Sequence, residues 1–275
     1  MKLLLTGSSG LIGSFIKRNY SGIDKLLTPS KDQLNLLSKS SVDNYFFRYR
    51  PDAIIHGAGA TQILLGEKER GDKSGIFWKK NVEGFKYISR NSLKYNSYRI
   101  YLSGEVVFDG RKDRPGPYSE KDLPEVNSDF LSWYGQTKKE AEGLIREKYK
   151  LAAIVKVGSV VGKGYEPRPD YIRKIIYALK KGKLHPMFDD QYISLADNFE
   201  LLQALNKLIE TKPSGTFHVA TSDRFTPYEM AKYLLTKIGK SNKEIQASSI
   251  SDFLKDNQFT FSKYSGLSTK KPKNF

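Results

Sequence analysis

Residues 4–13, Leu4-Leu5-Thr6-Gly7-Ser8-Ser9-Gly10-Leu11-Ile12-Gly13, constrain this chain more than any other stretch. An apolar run too short for a helix stops at a glycine-rich turn, and Leu-Ile-Gly-Ser-Phe-Ile then resumes with helical spacing. That pattern reads as strand, turn, helix. Glycines at 7, 10 and 13 let the backbone turn tightly, let a pyrophosphate approach the amides of Ser9 to Ile12, and let the helix lie close on the strand. The stretch predicts the first strand of a dinucleotide-binding unit, with Gly7, Ser9, Gly10, Leu11, Ile12 and Gly13 on its phosphate side. A glycine-rich turn without a ligand is the alternative, and the strand and helix flanks argue against it.

A chain of 275 residues suits one large domain, or a large domain with a smaller partner. It has no cysteine, which excludes disulfides, thiolate zinc sites and a cysteine nucleophile. With His56, His185 and His218 its only histidines, no metal site is expected. Lys and Arg number 46 against 30 acids, a formal charge of +16. The lysines are scattered, as at Lys138-Lys139, Lys180-Lys181 and Lys270-Lys271, and no nucleic-acid module accompanies them. They predict a solvated face that steers anionic small molecules, not a nucleic-acid surface. The apolar start breaks at Thr6-Gly7, too short for a signal-peptide core, and no later run approaches membrane-spanning length. The expectation is a soluble cytoplasmic protein without membrane insertion, with a homo-oligomer compatible with the sequence.

Along the chain, Asp24 to Thr28 reads as a second strand whose end, Thr28-Pro29-Ser30-Lys31, lacks the acid that would hold a ribose 2′-hydroxyl. This tilts the expected cofactor toward NADPH, with NADH still admitted because Asp32 is near. Residues 39–49 read as a helix. Residues 51–56 read as a buried strand ending in Gly57-Ala58-Gly59-Ala60, small residues that leave room for a ligand. His56 and His218 are most simply strand residues. Residues 62–75 are expected as a polar mobile loop, 76–95 as a helix, 99–103 as a strand, and 111–129 as a long loop. A helix starts from Ser132 and runs to Tyr149; a strand covers 151–157, and 158–162 leaves it as a loop. Helices near 171–181 and 199–209, a strand at 215–220, and a capping box at Thr226-Pro227-Tyr228-Glu229 complete the pattern.

In Tyr134-x-x-x-Lys138 both side chains share one helical face, where the ammonium would favour the phenolate and lower the tyrosine pKa. That suits a general acid for carbonyl reduction. Tyr177/Lys181, Tyr228/Lys232 and Tyr233/Lys237 match the same spacing, but only the pair at 134 and 138 follows the fourth strand of a glycine-turn domain.

The chain resembles the extended short-chain dehydrogenase/reductase family, in its branch of dTDP-4-dehydrorhamnose reductase-like sugar nucleotide reductases. The marks are Thr6–Gly13, Arg50–His56, Asn81-Val82-Glu83-Gly84, Val107-Phe108-Asp109-Gly110, Pro117–Glu120, Tyr134–Lys138, Asp190-Gln191 and Lys271–Asn274. Gln33-Leu34-Asn35-Leu36-Leu37 is similar to a stretch of GDP-L-fucose synthase. The resemblance implies an α/β fold: a Rossmann-type doubly wound parallel sheet (1–162) with a smaller C-terminal substrate-binding lobe (163–275) and some chain crossing between them. It implies hydride transfer from NADPH to the 4-keto carbon of a nucleotide-linked deoxysugar, with Tyr134 protonating the oxygen and Lys138 holding the nicotinamide ribose. Asn35, Leu36, Gly57, Ala58 and Gly59 fall on its cofactor positions, and Glu105, Val106, Ser159 and Gln191 on its substrate positions. The family's Ser or Thr that hydrogen-bonds the carbonyl falls on Gly104, and Ser103 is its neighbour, able to substitute if the strand end is shifted. The family's Asp and Tyr fall on Glu105 and Val106, and its later tryptophan on Ser159. A second resemblance, to the regulatory beta subunit of methionine adenosyltransferase, implies an NADP-binding protein that acts through a partner; Gly215–His218 and Tyr228-Glu229-Met230 carry it.

Overall fold

In a computed structural model of the protein, residues 1–22, 25–148, 151–162, 169–241, 245–257 and 260–269 are described. In chain order the elements are β1 (Lys2–Thr6), α1 (Leu11–Asn19), β2 (Lys25–Leu27), α2 (Lys39–Tyr49), β3 (Ala53–His56), α3 (Ile63–Glu67), α4 (Ile76–Trp78), α5 (Gly84–Lys94), β4 (Tyr98–Gly104) and α6 (Trp133–Lys148). There follow β5 (Ala152–Val157), β6 (Ser159–Val161), α7 (Tyr171–Lys180), β7 (Met187–Phe188), β8 (Ile193–Asp197), α8 (Asn198–Thr211), β9 (Gly215–Val219), β10 (Arg224–Phe225), α9 (Pro227–Lys237), β11 (Ala247–Ser248) and α10 (Ile250–Asn257). A π-helical turn, Lys79–Glu83, joins α4 to α5, and a 3-10 turn, Glu105–Val107, follows β4.

Six parallel strands form the main sheet in the order β2-β1-β3-β4-β5-β9. Alternate side chains feed two cores. Leu3, Leu5, Ile55, Ile100 and Val155 meet Phe15 and Ile16 of α1 and Leu201, Leu205 and Leu208 of α8 on one face. On the other, Leu4 and Ile54 meet Val42, Phe46 and Ile88, and Tyr101 and Ile154 meet Phe85, Ala141 and Ile145. Each fully buried leucine or isoleucine contributes about 1.5–3 kcal/mol, so burial is a large part of what holds both layers. β2 lies on one side of β1 and β3 on the other, and the reversal opens a crevice outside their carboxyl ends.

Beyond residue 162 the chain crosses back. α8 lies against the first core and β9 pairs with β5, extending the main sheet. The lobe itself has a three-stranded sheet, β10-β8-β6, a β11-β7 pair, and a core of Ile175, Leu179, Met187, Ala231, Leu234, Leu235 and Ile245. Thr226 and Glu229 form both bonds of the capping box on α9.

Two expectations need correction. Residues 159–161 are a strand, not a loop: β6 pairs with β8, because Gly158 brings the backbone so close that a Cβ there would stand 2.8 Å from the Ser194 oxygen. Within 62–75, a short helix and hydrogen-bonded turns replace the expected loop. The charged residues serve as anchors: the Glu67 carboxylate accepts from the Trp133 amide and Arg70, and Glu69 from the Phe77 amide. Asp24, Tyr149 and the Lys271–Asn274 mark lie outside the described residues.

Candidate active site

The crevice is made of backbone. Gly7 has φ +76°, a conformation side chains rarely adopt, and a Cβ there would stand 2.7 Å from the backbone of Gly57 and Ala58. A Cβ on Gly13 would stand 2.2 Å from the Gly7 oxygen, so α1 can seat on the turn only with glycine at that position. Gly10 caps α1 without a side-chain hydrogen bond, which leaves the first-turn amides at Leu11 and Ile12 for another acceptor. On the opposite wall, Asn81 in the π-turn accepts from the Ala60 amide (2.8 Å) and donates to the Ala60 oxygen (3.0 Å) and Thr137 Oγ1 (2.9 Å). A Cβ on Gly59 would stand 2.8 Å from Asn81 Oδ1. Leu36 backs against Gly84, while the Asn35 side chain accepts from the Leu37 amide. A dinucleotide fits this cradle: glycine backbone, free helix amides and small residues line the path that its pyrophosphate and ribose would take.

α6 delivers Tyr134 and Lys138. Ser132 accepts from the Gly135 amide at 3.1 Å and starts the helix. Gly135 brings it against the Glu105–Val107 turn, since a Cβ there would stand 2.3 Å from the Val106 oxygen. Lys138 is buried; its Nζ donates to the Leu102 oxygen at 2.8 Å and lies 4.5 Å from the Tyr101 ring centroid. Burial pulls its pKa down to about 8, against the opposing pull of Glu142. The expectation that Lys138 lowers the Tyr134 pKa is not met. Burial raises that pKa well above the usual phenol value, and Lys138 turns its ammonium to Leu102 and Tyr101 instead. Tyr134 is therefore a phenol at any working pH, the form in which it can donate a proton.

Ser103 also departs from its expected place. Its hydroxyl donates to Glu142 Oε1 at 2.6 Å, inside the layer between β4 and α6, so it does not stand in for the missing hydroxyl at 104. A cleft of about 230 Å³ brings Glu105, Val106, Ser159 and Gln191 together, with Ser132 and Tyr171 beside them. Burial pushes the Glu105 carboxyl up to about 7, and its Oε2 accepts from the Gly266 amide at 3.1 Å. Gln191 donates to the Ser262 oxygen, and Asp190 anchors the neighbouring segment by accepting from Ser249, the Ile250 amide and Lys263. A larger open groove of about 550 Å³, lined by Lys73, Trp78, Lys79 and Glu83, holds none of the expected residues.

Sequence reasoning missed Glu142 and Lys156, both fully buried behind Lys138, although the carboxylate one further turn along Tyr134-x3-Lys138-x3-Glu142 was visible in the spacing. Asn81 was noticed as part of a motif and not as the clamp on the strand end. Among the described residues, no group of three or more His, Cys, Asp or Glu could hold a metal, and no helix is long and apolar enough to cross a membrane.

The chain aligns with solved and curated proteins over most of its length. The crystal structure of dTDP-4-dehydrorhamnose reductase from Bacillus anthracis in complex with NADP superposes with a TM-score of 0.85 and 25% identity, covering 98% of this chain and 90% of that one. The spore coat polysaccharide biosynthesis protein SpsK of Bacillus subtilis is 28% identical over 239 residues, 86% of this chain and 80% of that protein. Methionine adenosyltransferase 2 subunit beta of Bos taurus is 24% identical over 256 residues, 84% of this chain and 70% of that protein. The family match runs over residues 1–275, and with the glycine cradle and the Tyr134–Lys138 helix in place the chain belongs to the RmlD substrate binding domain family.

Proposed function

We propose that this protein is an NADPH-dependent reductase of a nucleotide-linked 4-keto-6-deoxy sugar, serving deoxysugar or polysaccharide biosynthesis in the cytoplasm. One observation carries the reading: Tyr134 and Lys138 stand one turn apart on α6, Ser132 at the start of that helix lines the cleft of Glu105, Val106, Ser159 and Gln191, and Lys138 reaches the oxygen of Leu102, whose side chain lies against Gly57. Gly7, Ser9, Gly10, Leu11, Ile12 and Gly13 would hold the pyrophosphate of NADPH, and Gly57, Ala58 and Gly59 with Leu36 its adenosine side. When bound, NADPH supplies the hydride. Tyr134 donates its phenolic proton to the substrate's carbonyl oxygen, and Lys138, one turn along the same helix and charged below about pH 8, would hold the nicotinamide ribose. Ser159 and Gln191 orient the sugar. The end of β2, without an acid and with Lys31 exposed, favours NADPH over NADH.

A purely NADP-binding role would use Lys138 as well, so Tyr134, the proton donor, is the residue that separates the two readings. Replacing Tyr134 by Phe is expected to lower NADPH oxidation with a 4-keto-6-deoxy nucleotide sugar by about 10²-fold or more and to leave NADPH affinity unchanged. Full activity in the variant removes the tyrosine from the mechanism.

A further inference from the structure

Four charged or hydroxylic groups behind Lys138 have no part in the chemistry described so far. Glu142 lies one helical turn beyond Lys138 on the same face of α6 and is fully buried. Its Oε1 accepts from Ser103 at 2.6 Å; its Oε2 accepts from Arg146 at 3.0 Å and stands 3.4 Å from the Nζ of Lys156. Lys156, on β5, is also fully buried, and its Nζ lies 4.8 Å from the Phe108 ring centroid. Taking charges out of water costs several kcal/mol per ion even where they are paired, so a cluster of this kind needs a use.

The use follows from position. Charges in a water-poor layer act over a full helical turn, because little solvent screens them. A carboxylate behind Lys138 opposes the burial that would otherwise strip its proton. We propose that Glu142 is a positioning residue for Lys138: its buried carboxylate keeps the neighbouring ammonium charged, and Ser103, Arg146 and Lys156 hold that carboxylate in place. The proposal rests on the reductase reading only for the purpose of Lys138, not for the coupling itself.

Other groups facing the cluster have fixed states in the working range. His56 on β3 and His218 on β9 are kept neutral by burial, with pKa values lowered to about 3 and about 4. Tyr101 on β4 and Tyr134 on α6 stay protonated, their pKa values raised by burial. Asp122, on the loop beside Lys156 and His218, is held below the usual carboxylate range and so stays charged. Lys156 is itself pushed down by burial, with Glu142 opposing.

The test is a direct titration of Lys138 in the cofactor-free protein by heteronuclear NMR of its side chain, assigned by its loss in Lys138→Arg. Glu142→Gln is expected to lower the Lys138 midpoint by about one pH unit. Should Glu142→Gln leave two cations uncompensated and fail to fold, Glu142→Gln/Lys156→Met removes the pair together, a change that buried pairs tolerate, and a smaller downward shift is expected because a cation leaves with the carboxylate. Glu142→Asp should restore part of the wild-type midpoint. A midpoint unmoved in the variant that folds overturns the proposal. The alkaline limb of NADPH oxidation should move by the same amount; a shifted midpoint with no reductase activity in the parent protein contradicts the reductase reading and leaves the coupling standing.

Discussion

Gly104 has an extended backbone, φ −161° and ψ 179°, that any residue adopts. A Cβ built there meets only the Val157 oxygen, at 3.4 Å, an ordinary contact. The position therefore has room for a Cβ, the first atom of the hydroxyl side chain that the resemblance implies for it. Gly104→Thr is expected to fold as the parent does and to raise kcat with a 4-keto-6-deoxy nucleotide sugar, by up to about 10²-fold, since one donor to a developing oxyanion contributes on that scale. Steady-state kinetics with matched thermal melts checks this, and an unchanged or lower kcat counts against a carbonyl seated beside residue 104. At this scale the sequence was a partial guide. The spacing Tyr134-x3-Lys138 placed both groups on one face, but spacing does not say where a long side chain ends. Lys138 reaches the Leu102 carbonyl, and Ser103 turns to Glu142; both are decided by the layer between β4 and α6, which no local pattern describes.

At the scale of elements, α1 and its turn are one unit. Gly13→Ala puts a methyl group 2.2 Å from the Gly7 oxygen, so the helix must lift from the strand. The expected cost is about 1–3 kcal/mol of stability, the range for overpacking, together with a loss of NADPH affinity as the first-turn amides move away from the pyrophosphate. Gly57→Ala meets Leu102 Cδ1 at 3.2 Å, a side chain that can give, and should cost less on both counts. Urea unfolding and NADPH fluorescence titration separate the two variants; equal effects contradict the account of the turn. This unit was legible in the sequence because strand, glycine spacing and helix are all local. β6 was not: Gly158 looked like the start of a loop, and only its approach to β8 from far along the chain makes residues 159–161 a strand. The helix within 62–75 was hidden for the same reason, since Glu67 and Glu69 bond to residues outside the segment.

For the whole molecule, the buried titratable groups set the response to acid. His56 titrates at about 3 in the fold against 6.5 when free, and His218 at about 4. Between those values the unfolded chain binds more protons than the native one, so stability falls as pH falls through about 6.5 to 4. Glu105 runs the other way: raised from 4.5 to about 7, it binds more protons in the fold, and acidification through that window favours the native state. Two histidines outweigh one carboxyl, and the protein should lose stability between about pH 7 and pH 5. Glu105→Gln removes the opposing contribution and should deepen that loss, as measured by urea midpoints at the two pH values; a shallower loss would contradict the assignment.

The fold as a whole sets the start of α6 and the lobe around one cleft, with the glycine crevice at the carboxyl ends of the parallel strands, and the claim that this arrangement reduces a nucleotide-linked keto sugar is open to a single decisive assay. NADPH oxidation, followed by absorbance, is measured with a dTDP-linked 4-keto-6-deoxy sugar for the parent protein and for Tyr134→Phe. Turnover in the parent that disappears in the variant, with NADPH still bound by both, is the predicted result; tight NADPH binding without turnover in the parent contradicts it.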